Sequence, residues 1–143
     1  MNDLLRHLII LGGLIHLAVA ASSLAIPRLL DWKRDLASLQ PLTRQVFWTY
    51  ASYTLGAHLA FAAVSLVGAA WLVDGSPLAA AVTGYIAIYW SARVAVQFVH
   101  YDRTAARAGI LFRVAEVMYL SAFSYLGIVY GVAAAGNIFG ARQ

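Results

Sequence analysis

The chain has 143 residues, of which 62% are hydrophobic and only 11% are charged. A typical soluble domain carries about 25% charged residues, so these totals indicate an integral membrane protein with the lipid bilayer as its main partner. The absence of cysteine excludes disulfides, thiolate catalysis and cysteine-ligated metal centres. The net charge of +4 lies in segments between apolar blocks, without a separate basic cluster, and we therefore predict no nucleic-acid partner.

Four apolar blocks are each long enough to cross a bilayer, which takes about 20 residues. They predict one integral membrane domain over the whole chain, an all-α membrane protein built as a four-transmembrane-helix bundle. The charged segment 28–40 has leucines at helical spacing, which is typical of a short interfacial amphipathic helix between helices 1 and 2. This segment is either a connector or a lid over a lipid-accessible site. The predicted spans are 4–26, 48–73, 78–99 and 110–138.

The distribution of basic residues predicts the orientation in the membrane. Lysine and arginine are concentrated in the first and third loops, and none lies in the second loop. By the positive-inside rule, loops 1 and 3 are cytoplasmic and both termini lie on the opposite side, in a multi-pass protein of the cell inner membrane. The N-terminal block has the apolar run of a signal peptide, but Asp3 and His16 interrupt that pattern and favour a retained first span.

Two histidines lie at the same predicted depth on neighbouring helices. His16 precedes Ile26 by ten residues, and His58 follows Trp48 by ten residues. At the rise of an α-helix, both imidazoles lie about 15 Å from the cytoplasmic boundary, near the middle of the bilayer. Such a pair can provide the two axial ligands of haem b or share another metal. Hydrogen-bonded packing of neutral imidazoles between helices is the alternative.

A polar stripe runs along the third span, where Tyr85, Tyr89, Arg93 and Gln97 follow one another at four-residue spacing. An arginine near the bilayer centre costs about 2.5–3.5 kcal/mol on insertion scales, so Arg93 must face a partner, a cavity or the interface. Glu116 of the fourth span matches Arg93 in depth, which predicts an ion pair between them. This group is either a structural pair or a functional element: an anion site, a proton relay or a site for haem propionates.

Two blocks of the sequence carry a resemblance to known proteins. They are RQVFW at 44–48, just before the second span, and WSARVAVQ at 90–97 within the third span. In these blocks, and in length, the chain resembles a group of small, uncharacterised four-span bacterial membrane proteins. The group has no assigned activity, so the resemblance implies the fold and adds weight to Arg93 and Gln97.

Two classes of function remain open. One is a redox or lipid-modifying membrane protein that holds haem b or a quinone-like or lipid-like ligand between His16 and His58. The other is an accessory subunit that docks on a membrane-protein partner, or on a second copy, through a small-residue face containing Gly127 and Gly131. A transporter is a third option, although four spans enclose only a thin pathway. The predicted ligand site comprises His16, His58, Tyr89, Arg93, Gln97 and Glu116.

Overall fold

The computed structural model describes residues 2–99 and 110–140. Throughout these ranges the regular structure is helical, which confirms the prediction of an all-α protein. Four helices are long and apolar enough to cross a membrane, as predicted. The third loop, whose basic residues contribute to the predicted orientation, lies outside the described residues. The helices are α1 (Asn2–Leu29), α2 (Trp32–Asp35), α3 (Pro41–Val67), α4 (Pro77–Val99) and α5 (Ile110–Gly140).

The second of the four long apolar helices begins and ends earlier than the sequence predicts. Helix α3 begins at Pro41 rather than at residue 48, because proline at the first helical position has a preset φ and loses no intrahelical hydrogen bond. It ends at Val67, and Gly68 follows as its C-cap. A β-carbon on Gly68 would lie 2.8 Å from the carbonyl oxygen of Val64, so this position requires glycine. The predicted remainder, 71–73, forms a 3-10 turn.

The segment between the first two long helices contains the predicted short helix, α2, which is only four residues long and is followed by a 3-10 turn. Asp31 adopts left-handed backbone angles, φ 52° and ψ 44°, which separate α1 from the four-residue helix α2. A 3-10 turn at 36–38 then leads to α3, and its Leu36 is buried. Trp32 packs edge-on against Phe47 and Trp48, with ring centroids 4.8 and 5.8 Å apart. These aromatic contacts fasten the segment to the start of α3.

The four long helices pack as two close pairs, α1 with α3 and α4 with α5. Helices α3 and α4 follow one another in the chain, yet their backbones make few close approaches. Glycines allow the close approach within each pair. A β-carbon on Gly13 of α1 would lie 2.8 Å from the Leu66 side chain of α3, and one on Gly127 of α5 would lie 3.2 Å from Ser91 Oγ of α4.

The packing of α5 bears on the predicted partner face. Gly127 faces Ser91, and a β-carbon on Gly131 would lie 4.0 Å from the β-carbon of Ala87, so both glycines lie against α4. Their small size is therefore accounted for within the chain. Docking of a partner through this face stays a prediction.

A polar cluster closes the bundle at the end that carries the second loop. Asn137 is buried; its Nδ2 donates to the carbonyl of Leu72 at 2.9 Å, and its Oδ1 accepts from the backbone N–H of Gly75 at 3.0 Å. Next to it, Asp74 Oδ1 accepts from the N–H of Ser76 at 2.8 Å. Hydrogen bonds from the Ser76 side chain and backbone lower the pKa of the Asp74 carboxyl below its ordinary value. This cluster fixes the turn between α3 and α4 against α5.

Candidate functional site

His16 is fully buried, and protein groups occupy both of its ring nitrogens. Its Nδ1 lies 2.8 Å from the carbonyl oxygen of Gly12, which can only accept, so Nδ1 carries the proton. Its Nε2 accepts a hydrogen bond of 2.8 Å from the indole N–H of Trp90. The imidazole is therefore held as a neutral tautomer that joins α1 to α4.

Aromatic rings surround His16 on the remaining sides. The ring centroids of Phe61 and Tyr130 lie 5.5 and 5.7 Å from its own, both in edge-on arrangements. The Tyr130 hydroxyl is hydrogen-bonded to Ser65, whose Oγ also donates to the Phe61 carbonyl at 2.6 Å. All of these side chains are buried. This part of the interior is a packed core without space for a ligand.

Trp90 lies between the two histidines. Its ring centroid is 5.4 Å from that of His16, and it stacks on His58 at 5.2 Å with an interplanar angle of 21°. On α5, Phe123 stacks on Trp90 at 4.8 Å and 24°. Axial ligation of a haem iron by both histidines would require a free nitrogen on His16 and an open space where the indole lies. The residues present therefore do not fit a haem b or a shared metal held between His16 and His58.

His58 differs from His16 in its hydrogen bonding. The side chain is only 6% exposed, and its Nε2 lies 3.4 Å from the hydroxyl of Tyr89. Its Nδ1 has no hydrogen-bond partner within the described part of the chain. Buried polar atoms in folded proteins are nearly always satisfied, so this nitrogen points to a partner other than the described residues.

A cavity of about 970 Å³ begins at His58 and Arg93 and extends to the end of the bundle that carries the first loop. Its far end is lined by residues of the α1 C-terminus and by Trp32, Phe47 and Trp48, so the cavity reaches the segment between α1 and α3. The volume is at the upper end of the range that small-molecule sites occupy. The wall is largely apolar, and its further polar members are Ser23, Arg28, Tyr50, Ser52, Thr54 and Tyr119.

Arg93 reaches this cavity from α4. Its guanidinium is half-buried, donates from Nη1 to Gln97 Oε1 at 3.3 Å, and lies 5.1 Å from the ring centroid of Phe123. The predicted ion pair with Glu116 is wrong: across 2–99 and 110–140 the structure contains no such pair, and the Glu116 side chain is exposed on α5. Equal depth did not imply contact, because the Glu116 side chain lies on an exposed face of α5.

The structure therefore divides the predicted site residues into three groups. His58 and Arg93 line the cavity, and Tyr89 and Gln97 are hydrogen-bonded to them from outside the lining. His16 belongs to the packed core behind Trp90. Glu116 is outside both. Sequence reasoning did not identify Phe123, whose ring stacks on Trp90 and lies beneath the guanidinium of Arg93. Its only signal in the sequence is its position on α5, two turns after Glu116.

Comparison of the chain with family models, curated proteins and solved structures found no match.

Proposed function

We propose that this chain is a multi-pass membrane protein that binds one quinone-like or lipid-like amphiphile inside its helix bundle. The observation that carries the proposal is the cavity of about 970 Å³ lined by His58, whose Nδ1 has no hydrogen-bond partner among the described residues. A mostly apolar pocket with a few convergent polar groups is the usual form of a small-molecule site.

The Nδ1 of His58, which has no hydrogen-bond partner among the described residues, favours a cavity that holds a bound molecule over one that is empty. A buried polar group without a hydrogen-bond partner costs roughly 1–3 kcal/mol. If the Tyr89 hydroxyl donates to Nε2, the ring proton lies on Nδ1, and His58 then has an N–H to donate to a ligand oxygen. An oxygen at the polar end of an amphiphile would remove the penalty.

The remaining walls suit the apolar end of such a molecule. Leu24, Ile26, Leu30 and Leu55 line the cavity between the polar end and the opening. At the opening, the rings of Trp32, Phe47 and Trp48 form an aromatic cluster. Aromatic rings of this kind are enriched at membrane interfaces, where one side is apolar and the other is wet. A chain that enters past them would reach His58 without leaving an apolar environment.

A cavity-filling substitution tests the proposal. Ala51 of α3 lines the cavity, whereas Ala63 of the same helix is exposed and does not. In nanodiscs of zwitterionic lipid, an amphiphile with a brominated chain should quench the fluorescence of Trp32 and Trp48 in a saturable way. We expect Ala51→Phe to weaken this binding at least about tenfold, by overpacking the space that the chain occupies.

The control for this experiment is Ala63→Phe, which adds the same ring to the outer face of α3 and should bind as the wild type does. Equal saturable quenching in all three proteins, or quenching that rises only linearly with the amount of brominated lipid, would contradict an internal site.

We propose the orientation that the basic residues predict, with loops 1 and 3 in the cytoplasm of an inner-membrane protein. The chain has no cysteine, so single substitutions provide unique labels. A membrane-impermeant maleimide added to intact spheroplasts should label Pro77→Cys, at the start of α4 beside the second loop, and spare Ser38→Cys in the first loop. The opposite labelling pattern would reverse the orientation.

A further inference from the structure

We infer that the cavity selects its ligand by chain length: the polar end lies at His58, and about 12–14 carbons of chain extend from there to the outer end of the cavity. The inference rests on the proposed function, since it names the class of amphiphile that the same cavity takes. It follows from the length of the cavity, the closure of its inner end and the charged residues at its outer end.

The cavity has nearly the same length along two helices. On α3 the lining residues extend from Phe47 to His58, over eleven residue steps, and on α1 they extend from Val19 to Arg28, over nine. At a rise of about 1.5 Å per residue, these stretches measure roughly 14–16 Å. An extended chain gains about 1.1–1.2 Å per bond, as a polypeptide does when its three backbone bonds span about 3.3–3.6 Å. The cavity therefore encloses about 12–14 bonds of an extended chain.

The packed core closes the inner end of the cavity. Trp90 stacks on His58 and on Phe123, both of which line the cavity, and Trp90 itself is 1% exposed. The same indole donates its N–H to His16, which is also buried. A chain cannot extend beyond His58 without displacing these rings, so the core sets one limit of the length.

The polar end of the ligand belongs at this inner end. The Nδ1 of His58 has no hydrogen-bond partner among the described residues. The hydroxyls of Ser23, Ser52 and Thr54, which also line the cavity, each donate to a carbonyl of their own helix, so they offer no proton to a ligand oxygen. A ligand hydroxyl can pair with Nδ1 in either tautomer of the imidazole, because a hydroxyl both donates and accepts.

Charged residues border the outer end of the cavity. Trp32 lines the cavity there, and its chain neighbours Asp31, Lys33 and Arg34 are exposed. Arg28 lines the cavity at the same end. Charged side chains remain at the wet surface of a membrane rather than among lipid tails. A chain longer than the cavity must therefore place its last methylenes among charged groups and water.

Straight-chain alcohols of about 8, 14 and 18 carbons test the length limit by competing with the brominated amphiphile in the quenching titration. Affinity is expressed per mole fraction of alcohol in the bilayer, so that partition into the bilayer cancels. We expect the 14-carbon alcohol to bind at least about tenfold more tightly than the 18-carbon alcohol, because each methylene beyond the limit leaves an apolar environment. Equal affinities of these two alcohols would overturn the length limit.

A substitution partway along the cavity tests the position of the polar end. Ala51 lies seven residue steps from His58, which is about 10 Å, or about nine bonds of an extended chain. Ala51→Phe should therefore weaken binding of the 14-carbon alcohol at least about tenfold and change that of the 8-carbon alcohol less than about twofold, because the shorter chain ends before the new ring. An equal loss for both alcohols would contradict a polar end at His58.

The position of a bromine along the chain tests the orientation directly. Trp90 stacks on His58 at the inner end, whereas Trp32 and Trp48 line the outer end. In a protein that keeps only Trp90, with phenylalanine at the other three tryptophan positions, a bromine near the hydroxyl should quench at least about threefold more than a bromine near the methyl end, since bromine quenches only at short range. In the variant Trp71→Phe/Trp90→Phe, the order should reverse. If this second variant does not fold, the first protein alone decides.

The outcomes distinguish this inference from the proposed function. Saturable quenching of Trp90 mainly by the bromine near the methyl end would show an amphiphile bound in the opposite direction, so the internal site would stand and the inference would fail. The inference also fails if the brominated amphiphile binds saturably but no alcohol displaces it. If no brominated compound quenches saturably, the proposed function itself fails.

Discussion

Replacing His16 by alanine should lower the free energy of unfolding by about 2–5 kcal/mol, the range for truncating a large buried side chain to alanine. His16 is fully buried, and the change leaves a void among Phe61, Trp90 and Tyr130. It also leaves the indole N–H of Trp90 without its acceptor. Reversible unfolding in mixed micelles with increasing SDS measures the change.

The matched control is His7→Ala. His7 belongs to the same helix, is exposed, and its Nδ1 is hydrogen-bonded to the Asp3 carbonyl one turn away. Its removal should change the unfolding free energy by no more than about 0.5 kcal/mol, as for most surface positions. Equal effects of the two substitutions would show that His16 does not join α1 to α4.

Replacing Trp90 by alanine is expected to have an effect at least as large, about 3–5 kcal/mol. Trp90 is 1% exposed and contacts His16, His58 and Phe123, so one side chain connects α4 to α1, α3 and α5. The same unfolding experiment applies.

Trp71→Ala is the control for this change, since Trp71 is 66% exposed at the end of the second span. The double variant of His16 and Trp90 gives a further check. Because the two residues share a hydrogen bond, their effects should not add, and the coupling should lie within about 0.5–3 kcal/mol. Strict additivity would contradict the shared contact.

The sequence allowed prediction of those features that depend on position along a helix. Hydropathy identified four spans, because each bilayer crossing requires an uninterrupted apolar block. The fixed rise of the helix predicted that His16 and His58 lie at one depth, and in the structure both are buried. The helix boundaries were predicted less accurately where a proline or a glycine sets the end of the helix, as Pro41 and Gly68 do for α3.

Features that depend on rotation about the helix axes could not be predicted. Equal depth suggested that His16 faces His58 and that Arg93 pairs with Glu116. In the structure the indole of Trp90 separates the histidines, and Glu116 lies on an exposed face of α5. A shift of one residue turns a helix by about 100°, so contacts across a bundle require the packing of all helices. The cavity could not be predicted for the same reason, since residues of α1, α3, α4 and α5 together form its wall.

The two parts of the interior should have different roles, since one contributes to the stability of the fold and the other to ligand binding. The core around His16 and Trp90 has its polar atoms paired, as a structural element requires. The region around His58 and Arg93 combines an unpaired nitrogen with an open volume. Substitutions in the first region should therefore act mainly on unfolding, and substitutions in the second mainly on ligand affinity.

Native mass spectrometry of the protein purified in a mild detergent tests the central claim, an internal site for one amphiphile, most directly. The wild type and Ala63→Phe should each carry one bound molecule of the same mass, and Ala51→Phe should have lost it. A bare chain in all three proteins, or the same bound mass in all three, would contradict the claim.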